Sequence, residues 1–194
     1  RQCLAALGDH KTHEFLKQRI SKGEFSGHMQ GNIYLAKLEK EKGSFEKGLA
    51  CAMKDLKIKG AVIPVTEDNA ELEILFKGGK IIKGENKISN TNFLIKDVDK
   101  IYYKNEVRIN KRARKAILKA DYIIICPGYF FSSVSPNFIV SGFKEVMSKS
   151  KAKIIAVENL NNPEPKEYVR TLETYLGKKI DYLIRGKKNL ISSE

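Results

Sequence analysis

The chain has 194 residues, 42% hydrophobic and 30% charged, which is the balance of a water-soluble globular protein with one substantial core. No apolar run reaches the length of a membrane span, and three widely spaced cysteines (Cys3, Cys51 and Cys126) make neither a CxxC nor a disulfide framework. The formal charge of +13 is carried mostly by lysine spread along the chain, with one local basic cluster, "NKRARK" at 110–115, so nucleic acid is not the expected partner.

In chain order, "RQCLAALG" reads as a helix stopped at Gly8, and "HEFLKQRI" as a second helix. "GEFSGHMQGN" is a glycine-rich loop, with Asn32 opening the next helix. The apolar spacing through residue 56 gives two more helices, split at Gly43 with Ser44 as N-cap. "GAVIPV" is expected as a short strand, and "AELEILFKGGKIIKGE" as a β-hairpin turning at Gly78-Gly79. "IKDVDKIYYK" is a further strand with Ile95, Val98 and Ile101 inward. "NKRARKAILKA" is a helix, and "DYIIIC" is a continuous apolar strand with both faces covered. "SPNFIVSGFKEVMSKS" is expected as one helix with Ser135 as N-cap and Pro136 at its first position. "AKIIAVEN", "KEYVRTLETYLG" and "IDYLIRG" are strand, helix and strand. The alternation predicts an α/β domain over 1–194: a doubly wound, Rossmann-like, mostly parallel sheet with helices on both faces, and an inserted β element at about 60–103.

In an open parallel sheet, ligands sit beyond the carboxyl ends of the strands. "IIIC" ends there, and "PGYFFSSVSPN" follows. Gly128 lets a ligand approach the backbone, while Ser132, Ser133 and Ser135 offer hydroxyls and amides before the expected helix N-terminus, a setting suited to phosphate. Asn137 adds an amide. An ordinary loop with Ser135 as a cap and nothing bound fits the same residues. In the second glycine loop His28 is able to donate to a phosphate or carbonyl, and a plain capping turn fits there too. His10 and His13 form an i, i+3 pair without a third ligand, which reads as a solvated helix face.

Taken together, "GHMQGN", "KGAVIPVTED", "KGENKI" and "ADYIIICPGYFFSSVSPNFIV" resemble the bacterial gluconeogenesis factor, a UDP-N-acetylglucosamine-binding family related to 2-phospho-L-lactate transferase. The family's G-H-x-x-G-N matches Gly27, His28, Gly31 and Asn32. Its P-G-S-x-Y-T-S-x-x-P-N matches Pro127, Gly128, Ser133, Pro136 and Asn137, with Ser132 in place of Thr and Phe131 in place of Tyr. "ENLNNPEPKEY" is similar to a family segment that carries over Asn159 and Tyr168. Tyr129 stands where the family usually has Ser, and the Asp-His pair expected soon after Tyr168 is not evident. Arg1 looks like the end of the family's G-D-x-R segment, so the family's first strand and Gly-rich phosphate loop are expected upstream of it. A chain lacking that strand should expose an apolar sheet edge.

The resemblance implies a cytoplasmic, non-catalytic regulatory protein. It would bind a UDP-sugar and link carbon metabolism to cell-wall precursor supply and cell shape. It implies a homodimer and no required cofactor. The alternative it implies is a phospholactate transferase acting on a deazaflavin precursor, which would need Mg held by carboxylates.

Overall fold

Capping and glycine chemistry set the first helices. In this computed structural model, which describes residues 1–159 and 165–185, the Asp9 side chain accepts from Thr12 N–H at 2.8 Å and starts a helix. The first four helices are α1 (Gln2–Leu7), α2 (His10–Lys17), α3 (Gln30–Lys42) and α4 (Phe45–Asp55). Gly43, at φ 75°, ends α3 in the left-handed region, and Ser44 caps α4 by accepting from Lys47 N–H at 3.3 Å, as expected. Their apolar stripes meet in one core of Leu4, Leu16, Leu35, Leu38, Leu49 and Ala52.

These helices belong to a first compact unit, Arg1–Glu67. A second unit spans Asp68–Glu194. The strand expected at "GAVIPV" is not formed; residues 60–65 are irregular. Gly60 has φ 93°, Pro64 has no N–H to give to a ladder, and Val62 N–H is taken by Met53 Sδ at 3.1 Å.

The second unit holds two three-stranded sheets. The hairpin forms as expected: β1 (Leu72–Phe76) pairs antiparallel with β2 (Ile81–Lys83), with Ile74 opposite Ile82 and Gly79 at φ 79° in the turn. A short helix α5 (Glu85–Ser89) follows, and β3 (Val98–Tyr103) adds to the other side of β1 with Ile101 opposite Ile74. Ile74 and Ile101 are buried in this sheet's core, with Val98 and Ile95 packed against it.

The remaining elements are helix α6 (Lys111–Lys119), β4 (Tyr122–Ile125), α7 (Phe143–Lys149), β5 (Lys153–Val157), α8 (Pro165–Leu176) and β6 (Tyr182–Ile184). The strands form a parallel sheet in the order β4-β5-β6, with Ile124 opposite Ile155 and Ile155 opposite Tyr182. This is a mixed α/β fold: the parallel three-stranded sheet forms as expected, and the strands of residues 72–103 make a separate antiparallel sheet.

Side chains alternate across the parallel sheet. Ile125, Ile154 and Ala156 are buried on one face. On the other, Tyr122 and Ile124 are 63% and 59% exposed, and Tyr182 and Ile184 are 56% and 53% exposed. The expectation that "DYIIIC" is covered on both faces, with helices on both sides of the sheet, is therefore corrected. β4 is an edge strand showing apolar residues to solvent, as anticipated for the sheet edge.

The helix expected over 135–150 is also corrected. After β4 the chain makes a π-helical turn (Phe130–Val134) and a 3-10 turn (Ser135–Asn137), and α7 starts only at Phe143. The cause lies in 139–142. Ser141 N–H donates to Val107 O at 2.7 Å and Ile109 N–H donates to Ser141 O at 3.0 Å, which takes both backbone groups of Ser141 out of any helix. Gly142, at φ 85°, then resets the chain direction.

Candidate functional site

The loop 127–137 is held by its own backbone and by two neighbours. Tyr129 O accepts from Ser133 N–H at 2.8 Å and from Val134 N–H at 3.2 Å, the second bond giving the turn its π character. Gly128 eases this close fold, because a Cβ there would lie 3.2 Å from Val134 Cγ2 and 3.4 Å from Ser133 Cβ, so that the Val134 side chain would have to give by a few tenths of an ångström. Asn137 Nδ2 donates to Ser133 O at 2.9 Å and to Val134 O at 3.1 Å, so this side chain clamps the loop. Pro136 O accepts from Tyr103 Oη at 3.1 Å.

Aromatic packing anchors the loop from beneath. Phe131 is 5% exposed and sits in the core of the antiparallel sheet, 5.7 Å from the Phe93 ring. Phe130 meets Tyr168 of α8 edge-on at 5.4 Å. Tyr168 itself is buried, and that burial, followed by the Glu158 carboxylate, pushes its phenol pKa up.

Two predicted residues are joined directly: Asn159, just past β5, donates from Nδ2 to Gly128 O at 2.8 Å. Residues 160–164 of the segment that follows Asn159 lie outside the described residues. Ser133 is exposed, whereas the Ser132 and Ser135 hydroxyls are buried with no hydrogen-bond partner among the described residues. Ser135 caps no helix, and Pro127, Pro136 and Asn137 border a π turn and a 3-10 turn instead of an α-helix N-terminus.

Gly27, His28, Gly31 and Asn32 lie in the first unit. Gly27 has φ 84° and its carbonyl accepts from Arg19 Nη1 at 2.7 Å. The exposed His28 ring stands edge-on to Phe25 at 6.5 Å. Gly31 serves packing, since a Cβ there would lie 2.7 Å from Leu16 O of α2. Asn32 is exposed, two residues inside α3.

Three residues were missed from sequence. Tyr129 is 71% exposed at the mouth of the loop. Glu158 and Arg185 come directly after β5 and β6, and Arg185 Nε donates to Glu158 Oε2 at 2.9 Å. Their signal was there: each follows directly on an apolar strand, where a parallel register sets them side by side. Among the described residues no group of three His, Cys, Asp or Glu side chains is placed for a metal ion. Among the described residues at this edge, the Glu158 carboxylate is engaged by Arg185.

Residues 1–193 match the family described as 2-phospho-L-lactate transferase CofD. The chain belongs to this family. Relatives include a protein of Thermotoga maritima named "Putative gluconeogenesis factor", 35% identical over 185 residues, covering 88% of this chain and 56% of the relative. A protein of the same name from Aquifex aeolicus is 34% identical, covering 84% and 51%. The chain thus spans about half the length of the curated relatives it matches. A crystal structure of a UPF0052-family protein from Bacillus halodurans superposes with a TM-score of 0.84 at 23% identity, covering 97% of this chain and 64% of that one, and shares its fold. No helix among the described residues is long and apolar enough to cross a membrane.

Proposed function

We propose that this chain carries part of a UDP-N-acetylglucosamine site in a regulatory protein linking carbon metabolism to cell-wall precursor supply and cell shape. The observation that carries the reading is the loop 127–137, folded onto Asn159 at the carboxyl edge of a parallel sheet. The shared name of the relatives supports it. Ser133 and the amides around Gly128 would donate to phosphate oxygens. Tyr129, with its ring clear of the protein, is better placed than the buried Tyr168 to stack on the base. Gly27, His28, Gly31 and Asn32 belong to the proposal as family motif positions and rest on resemblance. A homodimer, a cytoplasmic location and the lack of a required cofactor belong to the same proposal and rest on resemblance.

The second reading is a transferase of deazaflavin-cofactor synthesis, favoured by the family description that spans residues 1–193. The P-G…S-S…P-N form of the loop resembles the gluconeogenesis-factor branch more closely. Calorimetry separates the two. The whole protein should bind UDP-N-acetylglucosamine, and Ser133→Ala should weaken binding about tenfold or more through loss of a hydrogen bond to a charged group. Binding of a deazaflavin precursor with Mg, and none of the UDP-sugar, would establish the transferase.

A further inference from the structure

We propose that Arg185 is an anion-binding residue at the carboxyl edge of the parallel sheet, fixed there by Glu158, and that its ligand group is a phosphate or diphosphate. The inference rests on the reading that the 127–137 loop takes a phosphorylated ligand, and it adds a residue from a different strand.

Val157 lies opposite Ile184 in the parallel ladder, and Glu158 N–H donates to Ile184 O at 3.0 Å. The next pair in register is therefore Glu158 and Arg185. Both point to the face that buries Ile154 and Ala156, where Tyr168 and Phe130 support the loop.

The pair is unequal in burial. The Glu158 side chain is 7% exposed and that of Arg185 is 54% exposed. By contrast, Arg108 grips Glu106 with two nitrogens, at 3.0 Å each, and both side chains are largely exposed. Arg185 uses Nε alone toward Glu158, and no other acceptor among the described residues takes its terminal nitrogens. A buried carboxylate thus holds a guanidinium that stands half-exposed just past β6, its terminal nitrogens forming an outer fork. That fork matches two oxygens of a phosphate.

The reach also fits. Ile125 ends β4 and Arg185 follows β6, with β5 between them, so about 10 Å separates these two strand ends at the usual strand spacing. Asn159, adjacent to Glu158, donates to Gly128 O of the loop that follows β4. A ligand with a diphosphate flanked by larger groups spans that distance, and a lone small anion would touch only one end. Because Glu158 balances the charge of Arg185, the contact depends on directed donors more than on net charge. Lysine should therefore replace arginine poorly.

The test is calorimetry on the whole protein with two probes, inorganic pyrophosphate and UDP-N-acetylglucosamine. Arg185→Ala should weaken pyrophosphate binding about tenfold or more. Arg185→Lys should recover only part of that loss, and Glu158→Gln should weaken binding several-fold while Arg185 is still present. Equal pyrophosphate affinity in wild type and Arg185→Ala, or no pyrophosphate binding by the wild type, overturns the proposal. Pyrophosphate bound through Arg185 without any UDP-sugar binding keeps the anion site and removes the proposed function. UDP-sugar binding unchanged in Arg185→Ala does the reverse.

Discussion

Three residues of the second unit show how single groups hold the candidate loop. Asn159 contributes one bond to Gly128 O, and Asn159→Ala should cost about 1 kcal/mol. Hydrogen exchange at the amides of Ser133 and Val134 should quicken in that variant, while amides of β1 keep their protection. Gly128→Val should be worse, because its branches would be driven into Val134 and Ser133. Tyr168 adds a pH dependence. Its pKa is raised by burial first and then by Glu158, and burial also raises those of Tyr103 and Tyr175. A phenol that holds its proton more tightly in the folded state contributes stability below its unfolded pKa of about 10, and that contribution is lost as pH rises through the folded value. Thermal stability should therefore fall above about pH 10. Tyr168→Phe should fall less steeply, and an identical fall in both would show that Tyr168 does not contribute.

At the scale of elements, the same local rules were legible in some places and overridden in others. The α3–α4 break was readable because Gly43 and Ser44 act on their immediate neighbours. The hairpin was readable because Gly78-Gly79 sits between two alternating runs. The helix over 135–150 was misread because its break comes from distant residues, Val107 and Ile109, which take the backbone of Ser141. No periodicity in 135–150 carries that information. Of the candidate site, Gly128 and Asn159 were legible as motif positions, yet the bond between them was not. Nor was the burial of Tyr168, which depends on Phe130 reaching α8. Gly142 gives a direct check. At φ 85°, Gly142→Ala should lose about 1–2 kcal/mol of stability in urea unfolding, and Ile109 Cγ2, 3.1 Å from the new Cβ, adds to the cost. A neutral substitution would mean that the chain can pass from the 3-10 turn into α7 without the left-handed step.

At the scale of the molecule, the parallel sheet leaves one face open. Tyr122, Ile124, Tyr182 and Ile184 form a solvent-facing apolar patch across β4 and β6, with Ile155 and Val157 between them. Parallel sheets are usually covered on both faces, and such patches promote association. The 194-residue chain should associate with rising concentration in sedimentation velocity, and Ile124→Lys with Ile184→Lys should reduce that association. The +13 charge gives a separate expectation: binding to random duplex DNA should be weak and fall steeply with salt, since the lysines are dispersed and Arg114 of the one basic cluster is paired with Glu145 at 3.0 Å. The central claim is that the carboxyl edge beside the 127–137 loop receives a nucleotide sugar. Titrating the whole protein with UDP-N-acetylglucosamine in a calorimeter tests it most directly. Saturable binding that weakens about tenfold or more in Ser133→Ala is the predicted result. No binding by the wild-type protein, or equal binding by the variant, would contradict the claim.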